Sequence, residues 1–372
     1  MKCLHPVVAW KCGFLFCKSD KVISPRLVFS RDEAQRYHNA CGSSLDDNQV
    51  SLPCGHCDAC LLEKRKDMST RLCHEASTHE FATFITLTYN EGNVPTTDTQ
   101  KLGDTDKVFS RGHHDDLDAL GLDVELPLKT LLPSDVQRFM KRLRRHLEYV
   151  PSRCRVDTLA NGSQIVRDSD GNFVRDHASK LRYFAVGEYG TKTKRPHYHI
   201  LIFGWQPSDA EFFSLRKGNV ICTSSQVQKL WPYGFSTVSS VSPKVCKYCA
   251  RYVTKKFVSN RPLDERIVPE FTLQSVRNGA MGSLWWMRYG EDAVRRGFVT
   301  VRTGDNIIKC RVPPYYMTLC RKHKLPLWLD VRGERLEFIR AHKGEPVDFD
   351  ALRRSCDVSI HNQKTISQDD LF

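Results

Sequence analysis

The chain has 372 residues, 40% of them hydrophobic and 27% charged, which excludes a disordered tail and leaves room for two or three domains with a sizeable core. Lys and Arg number 56 against 43 acidic residues, a formal +13 that favours a polyanionic partner, nucleic acid first. No apolar run has the length of a membrane span, and Lys11 interrupts the opening "MKCLHPVVAWKCGFLFCK" before it could serve as a signal-peptide core, so a cytoplasmic protein without membrane contact is expected.

Residues 1 to about 80 form a cysteine-rich, basic region. The chain carries 15 cysteines, an odd number with several at close spacing, which argues for reduced thiols rather than a secreted disulfide framework. The densest group is "PCGHCDAC", with Cys54, Cys57 and Cys60, and Cys73 follows further on. Repeated C-x2-C turns aim thiolates at one point, which suits tetrahedral zinc; an iron–sulfur cluster or ordinary reduced cysteines are the alternatives. The stretch "LLEKRKDMSTRLCHEASTHE" lacks Gly and Pro and reads as a helix. "FATFITLTYN" (81 to 90) is β-branched and aromatic, so it reads as a strand, and the polar segment from about 91 to 130 reads as a long surface loop. In "PSDVQRFMKRLRRHLEYV", Ser134 is the expected N-cap, and Val136, Phe139, Met140, Leu143 and Leu147 recur at helical spacing. Its other face carries Lys141, Arg142, Arg144 and Arg145, either a solvated charged surface or a contact for DNA.

"LRYFAVGEYG" and "KRPHYHILIFG" read as two strands joined by the basic turn "TKTKR". Side chains alternate along a strand, so His197 and His199 project from one face, and the hairpin brings Glu188 close to both. Two buried histidines can simply hydrogen-bond their neighbours. A Glu and two His also make a ligand set for a divalent ion with open positions, in which imidazole favours Mn²⁺ while abundance favours Mg²⁺. In "KYCARYVTKKF", Tyr248 and Tyr252 share a helical face, each followed three residues later by a base, Arg251 and Lys255 respectively, with Lys256 adjacent. An amphipathic surface explains this stripe too, but a phenol beside a cation or metal can act as a nucleophile, and Lys or Arg can hold phosphate charge. Cys246 and Cys249 repeat the C-x2-C spacing, which helical packing explains as readily as metal.

Taken in order, "FITLTY", "GEYG…RPHYH" and "YCARYVTKK" resemble the three motifs of the HUH endonucleases, and among these the replication initiators of gokushovirus-like microviruses, small circular single-stranded DNA phages. The likeness runs from "LPCGHCDAC" through "RLCHEA", "FMKRLR" and "LWPYG" to "VPPYY", roughly residues 50 to 317; "LQSVRNGAMGSLWW" departs from it where a Pro-Gly turn is expected. The resemblance implies an α+β fold, a central antiparallel sheet flanked by helices, with the endonuclease at 81–260, the Cys-rich region at 1–80 and a C-terminal region of undefined role at 261–372. It implies that His197, His199 and Glu188 hold the metal, that Tyr248 and Tyr252 are nucleophiles and that Lys255 serves the phosphate. The implied partners are single-stranded and supercoiled circular origin DNA, a host helicase and the replication machinery of a bacterial host. Rivals are a non-catalytic zinc and nucleic-acid binding protein, a relaxase or transposase of the same superfamily, and a histidine-motif nucleotide hydrolase. The last is disfavoured because Leu201 stands where a third alternating histidine belongs.

Overall fold

The structure, a computed structural model, describes residues 3–16, 22–97, 128–148, 155–159, 164–167, 170–171, 173–176, 181–190, 193–216, 218–254, 266–277, 279–342 and 348–364. It divides into two compact units, one of Met1–Lys64 with Gly344–Thr365 and one of Arg65–Lys343 with Ile366–Phe372. In the first, strand β1 (Val7–Phe16) lies between β2 (Val22–Val28) and β3 (Gln49–Leu52), both antiparallel to it. Helix α1 (Arg31–Cys41) starts at Ser30, whose Oγ accepts from the Glu33 N–H, and ends at Gly42 in the left-handed conformation. Helix α2 (Asp58–Ala76) spans the division between the units. The C-terminal helix Phe349–Lys364 belongs to the first unit, where Leu352, Cys356 and Ile360, four apart, pack with Leu4, Cys57, Ala59 and Leu62.

The second unit continues with β4 (Ala82–Thr88) and α3 (Pro133–Glu148), then a small three-stranded sheet of β5 (Arg155–Thr158), β6 (Gln164–Arg167) and β7 (Phe173–Asp176). After it come β8 (Arg182–Tyr189), β9 (Pro196–Phe203), β10 (Ala210–Arg216), β11 (Asn219–Ser224), α4 (Ser225–Leu230), β12 (Ser236–Ser240), α5 (Pro243–Ala250) and β13 (Phe271–Gln274). Seven of these strands form one antiparallel sheet in the order β10-β11-β12-β4-β9-β8-β13. Helix α6 (Ser283–Arg296), the hairpin β14 (Phe298–Thr303) and β15 (Asn306–Arg311), and helices α7 (Pro314–His323) and α8 (Leu325–Ala341) complete the described part. The class is α+β, a large antiparallel sheet flanked by helices and preceded by a Cys-rich N-terminus.

Alternation decides which face each residue serves. Ile85, Leu87, Tyr198, Ile200 and Ile202 pack beneath α3, against Val136, Phe139, Met140, Leu143 and Leu147. Burial of each such side chain contributes roughly 1.5–3 kcal/mol, which makes α3 a main support of the sheet. The opposite face carries Phe84, Val186, Leu201 and Phe203 and is covered by Met68 and Leu72 of α2 and by Val245, Tyr248 and Cys249 of α5. Helix α3 begins at Pro133, whose fixed φ and missing N–H suit a first helical position, so Ser134 falls inside the first turn instead of capping it. The ends of the 91–130 segment pair at Thr96 and Lys129, and residues 98–127 lie outside the described residues.

Two buried polar groups hold α2 to the rest of this unit. Arg182 of β8 donates through Nε to Glu75, and its NH1 and NH2 groups reach the carbonyls of Arg277 at 3.2 Å, Gly279 at 3.1 Å and Ala280 at 3.0 Å. The Gly282 N–H donates to the other Glu75 oxygen at 2.6 Å. Burial opposes the charge on Glu75, but His79, Arg182 and the Gly282 amide outweigh it and lower its pKa. Arg182→Met leaves that carboxylate buried without its main counter-charge, and about 3–5 kcal/mol of stability is expected to be lost. Urea denaturation measures this, and a loss under about 1 kcal/mol would show that the pair does not brace the sheet.

His74 is the second. Its Nε2 lies 3.0 Å from the Thr300 carbonyl and its Nδ1 2.9 Å from the Tyr316 hydroxyl, so a neutral ring donates to the first and accepts from the second. The ring also stacks on Trp285, with centroids 3.7 Å apart. Burial pushes its pKa down to about 4, against the pull of the Thr300 carbonyl. The unfolded chain, with an ordinary histidine, binds the proton more tightly. Stability from His74 is therefore complete above about pH 6.5 and lost as pH falls towards 4, by roughly 3 kcal/mol. Denaturation midpoints at several pH values should fall more steeply for the wild type than for His74→Gln; parallel curves would refute this.

Candidate functional site

The β8–β9 hairpin sets the register on which the site depends. Glu188 lies opposite His197 and Val186 opposite His199, while on the other flank of β9 Thr86 lies opposite His199 and Thr88 opposite His197. His197, His199 and Glu188 thus share one face, the one covered by α5, and all three are buried. Both imidazole Nε2 atoms converge on a single oxygen, Glu188 Oε1, at 2.8 Å from His197 and 2.7 Å from His199. The rings are held from behind: His197 Nδ1 lies 3.2 Å from the Arg195 carbonyl and His199 Nδ1 3.0 Å from Thr86 Oγ1.

Those back contacts test whether a cation fits. Only an N–H can donate to the Arg195 carbonyl, so a neutral His197 carries its lone pair on Nε2, facing a carboxylate oxygen. Two acceptors at that range repel unless a proton or a cation lies between them. The separations are close to the edge of an octahedron with metal bonds near 2.1 Å, which is about 3 Å. Three ligand atoms of these types, within 4.8 Å of one another, suit a divalent ion with positions left open. Burial disfavours the charge on Glu188, yet His199 and His197 outweigh it and hold the carboxyl well below its usual range. Burial also lowers the pKa of His199, against the opposing pull of Glu188, which favours the neutral ring that a metal requires.

Both tyrosines reach this group. Tyr248, near the end of α5, donates its hydroxyl to Glu188 Oε1 at 2.7 Å and lies 3.3 Å from His199 Nε2. Tyr252 sits beyond the helix, in the 3-10 turn Arg251–Thr254, and donates to the Tyr248 hydroxyl at 2.9 Å. Its position in a tighter turn differs from the single α-helix expected, yet the two phenols still meet. His197 and Tyr252 are each 9% exposed, whereas Glu188, His199 and Tyr248 are each 1%, so the first pair marks the side from which the cluster is reached.

Arg251 lies in the same turn, partly exposed; Lys255 and Lys256 fall outside the described residues. The basic residues of α3 are not brought to the cluster, because α3 covers the opposite face of the sheet. Arg144 and Arg145 are exposed there, and Arg142 turns inward, donating to the Tyr233 hydroxyl at 2.8 Å and lying over its ring.

Three contributors were not read from the sequence. Thr86 orients His199 and lies in the "FITLTY" strand at the right parity to do so. Arg195 donates to the Tyr89 carbonyl and pairs with Glu91, fixing the hairpin turn against the end of β4. In "LWPYG", Trp231 Nε1 donates to the Thr88 carbonyl at 2.9 Å, and a Cβ on Gly234 would meet that same oxygen at 2.1 Å. Only glycine permits this approach.

The cysteines divide differently from the expectation. Cys54, Cys57 and Cys60 lie together, but their fourth neighbour is Cys3, not Cys73. Cys60 and Cys73 stand on one helix thirteen positions apart, roughly 20 Å at the rise of an α-helix, so both cannot reach one ion. Cys73 instead packs beside Cys246, and Cys246 and Cys249 are buried in the apolar layer under α5.

Comparison with known proteins agrees with the motif reading. The family model for replication-associated proteins of the ORF2 type matches residues 120–257. The chain is 24% identical over 306 residues to replication-associated protein VP4 of Bdellovibrio phage phiMH2K, covering 80% of this chain and 78% of that one. It is 26% identical over 315 residues to replication-associated protein ORF4 of Chlamydia phage 1, covering 83% of this chain and 61% of that one. Replication-associated protein ORF2 of Spiroplasma virus 4 is 25% identical over 340 residues, with 91% and 86% covered. No solved structure matches. The chain is similar to phage replication-associated proteins, and no helix among its described residues is long and apolar enough to cross a membrane.

Proposed function

We propose that this chain initiates rolling-circle replication: an HUH endonuclease that nicks single-stranded origin DNA through a tyrosine, holds the 5′ end and rejoins the strand into a circle. The observation that carries the reading is the contact of Tyr248 with Glu188 and His199, which sets a phenol against a group suited to a divalent cation. A non-catalytic binding protein has no use for that arrangement. The similarity to phage replication-associated proteins agrees with it.

His197, His199 and Glu188 would hold Mg²⁺ or Mn²⁺, which when bound supplies a Lewis acid for the scissile phosphate. The remaining chemistry belongs to the chain. Tyr248 gives up its proton along the hydrogen bond it already makes to Glu188, and Tyr252, donating to the Tyr248 oxygen, stabilises the charge left there. That oxygen attacks the phosphorus in line, the bond from phosphorus to the 3′ oxygen breaks, and the 3′-hydroxyl leaves with a proton. A 5′-phosphotyrosine retains the phosphodiester, so a 3′-hydroxyl can attack it and reverse the step. Arg251, Lys255 and Lys256 are positioned in sequence to meet the DNA beside the tyrosines, while Arg142, Arg144 and Arg145 belong to a separate surface. The substrate would be single-stranded or supercoiled circular origin DNA in a bacterial host, with a host helicase opening the duplex.

The test is to mix the protein with circular single-stranded DNA carrying the cognate origin, with and without Mn²⁺, and to run a denaturing gel. A protein-linked DNA band that requires the metal is expected. Retarded DNA in a native gel without any covalent band would favour binding alone.

A further inference from the structure

We propose that Cys3, Cys54, Cys57 and Cys60 form a closed tetrahedral zinc site that organises the N-terminal unit. The four sulfurs lie within 4.8 Å of one another, and Cys3 and Cys57 are separated by 3.8 Å. With zinc–sulfur bonds of about 2.3 Å, the edge of a tetrahedron is about 3.8 Å, so the thiols already stand at ligand spacing.

The backbone around them is built to hold thiolates. The Cys57 N–H points at Cys54 Sγ at 3.3 Å and the His56 N–H at the same sulfur at 3.5 Å. From the other arm, the Leu4 N–H points at Cys57 Sγ at 3.4 Å and the Cys54 N–H at Cys3 Sγ at 3.3 Å. Amides donating to sulfur spread the negative charge that four thiolates bring to one cation. Gly55, with φ +82°, makes the tight turn between the first two ligands, and Lys64 Nζ closes that turn by donating to the Gly55 carbonyl at 2.9 Å. Cys60 comes from the first turn of α2.

Four sulfur ligands leave no open position, which makes the site structural and not catalytic. Its place explains what it does. Cys57 and Leu4 pack in the same apolar cluster as Ala59, Leu62 and the Leu352, Cys356 and Ile360 stripe of the C-terminal helix. That cluster is small, and a metal tying the segment before β1 to the start of α2 supplies the stability that its apolar contacts lack. The cation also gives the far-separated Cys3 a reason to sit beside "PCGHC".

The test uses the full chain, prepared reduced with both zinc and iron supplied. Metal is counted in a His197→Ala/His199→Ala background, so that the triad cannot contribute. About one zinc per chain is expected, abolished or weakened at least tenfold by Cys3→Ser and retained by Cys73→Ser. Because Cys3→Ser could simply unfold the unit, the wild-type chain is also alkylated with N-ethylmaleimide and mapped by mass spectrometry before and after treatment with a chelator. Cys3, Cys54, Cys57 and Cys60 should be shielded together until the metal is removed, while the exposed Cys41 reacts throughout. Iron in place of zinc, no metal at all, or Cys3 reacting equally fast before and after chelation overturns the proposal.

Discussion

Replacing His197 and His199 together with Ala is expected to lower origin cleavage by roughly a thousandfold or more, with DNA affinity nearly unchanged. The size follows from losing the several kcal/mol by which a bound cation stabilises the charge of a transferring phosphoryl group. Affinity for DNA comes chiefly from Lys and Arg on phosphates, and the two histidines are buried in the sheet face, so binding has little to lose. Single variants should differ. His199 is held by Thr86 and touches both Glu188 and Tyr248, so His199→Ala removes a ligand and also a neighbour of the nucleophile. His197 is at the accessible side, and His197→Ala should be partly offset by raising Mn²⁺. Cleavage and filter binding are measured on the same preparations, with thermal melting to check that the core survives. Full nicking by the double variant with Mn²⁺ present would remove the triad from the mechanism.

How far the chain could be read from its sequence depended on the range of each contact. The amphipathic spacing of α3, the alternation of "FITLTY" and the parity of His197 and His199 are local, and each was enough to place its side chains on the correct face. Glu188 needed one hairpin, a contact nine residues away in sequence, and the basic turn was a sufficient signal. Cys3 was not legible because it lies 51 residues from Cys54, and proximity in sequence favoured Cys73, which a continuous helix carries out of reach. The C-terminal helix failed for the same reason: its stripe of Leu352, Cys356 and Ile360 is visible, but not the segment it covers. The basic face of α3 misled in another way. Composition suggested DNA, whereas position depends on which side of the sheet the helix covers, which periodicity cannot tell.

The tyrosine pair carries the second large effect. Tyr248 is hydrogen-bonded to Glu188 and adjacent to His199, while Tyr252 contacts the cluster through the Tyr248 hydroxyl, so Tyr248 is expected to make the first cut. Tyr248→Phe, which keeps the ring that packs in the core, should reduce first-strand cleavage by roughly a hundredfold or more, the scale of losing a positioned nucleophile. Tyr252→Phe removes one hydrogen bond to the attacking oxygen, worth about 1–2 kcal/mol, and should slow the first cut by roughly tenfold. Closing a round is more demanding, because the first phenol still holds the 5′ end when the regenerated origin must be cut. A second phenol one hydrogen bond away can take that role after a small shift, with no second metal group required. Tyr252→Phe should therefore accumulate adduct and release few closed circles, and the double variant should form no adduct. Peptide mapping of the DNA-linked residue after one turnover decides the order: linkage first at Tyr252, or normal circle release by Tyr252→Phe, would overturn this assignment of roles.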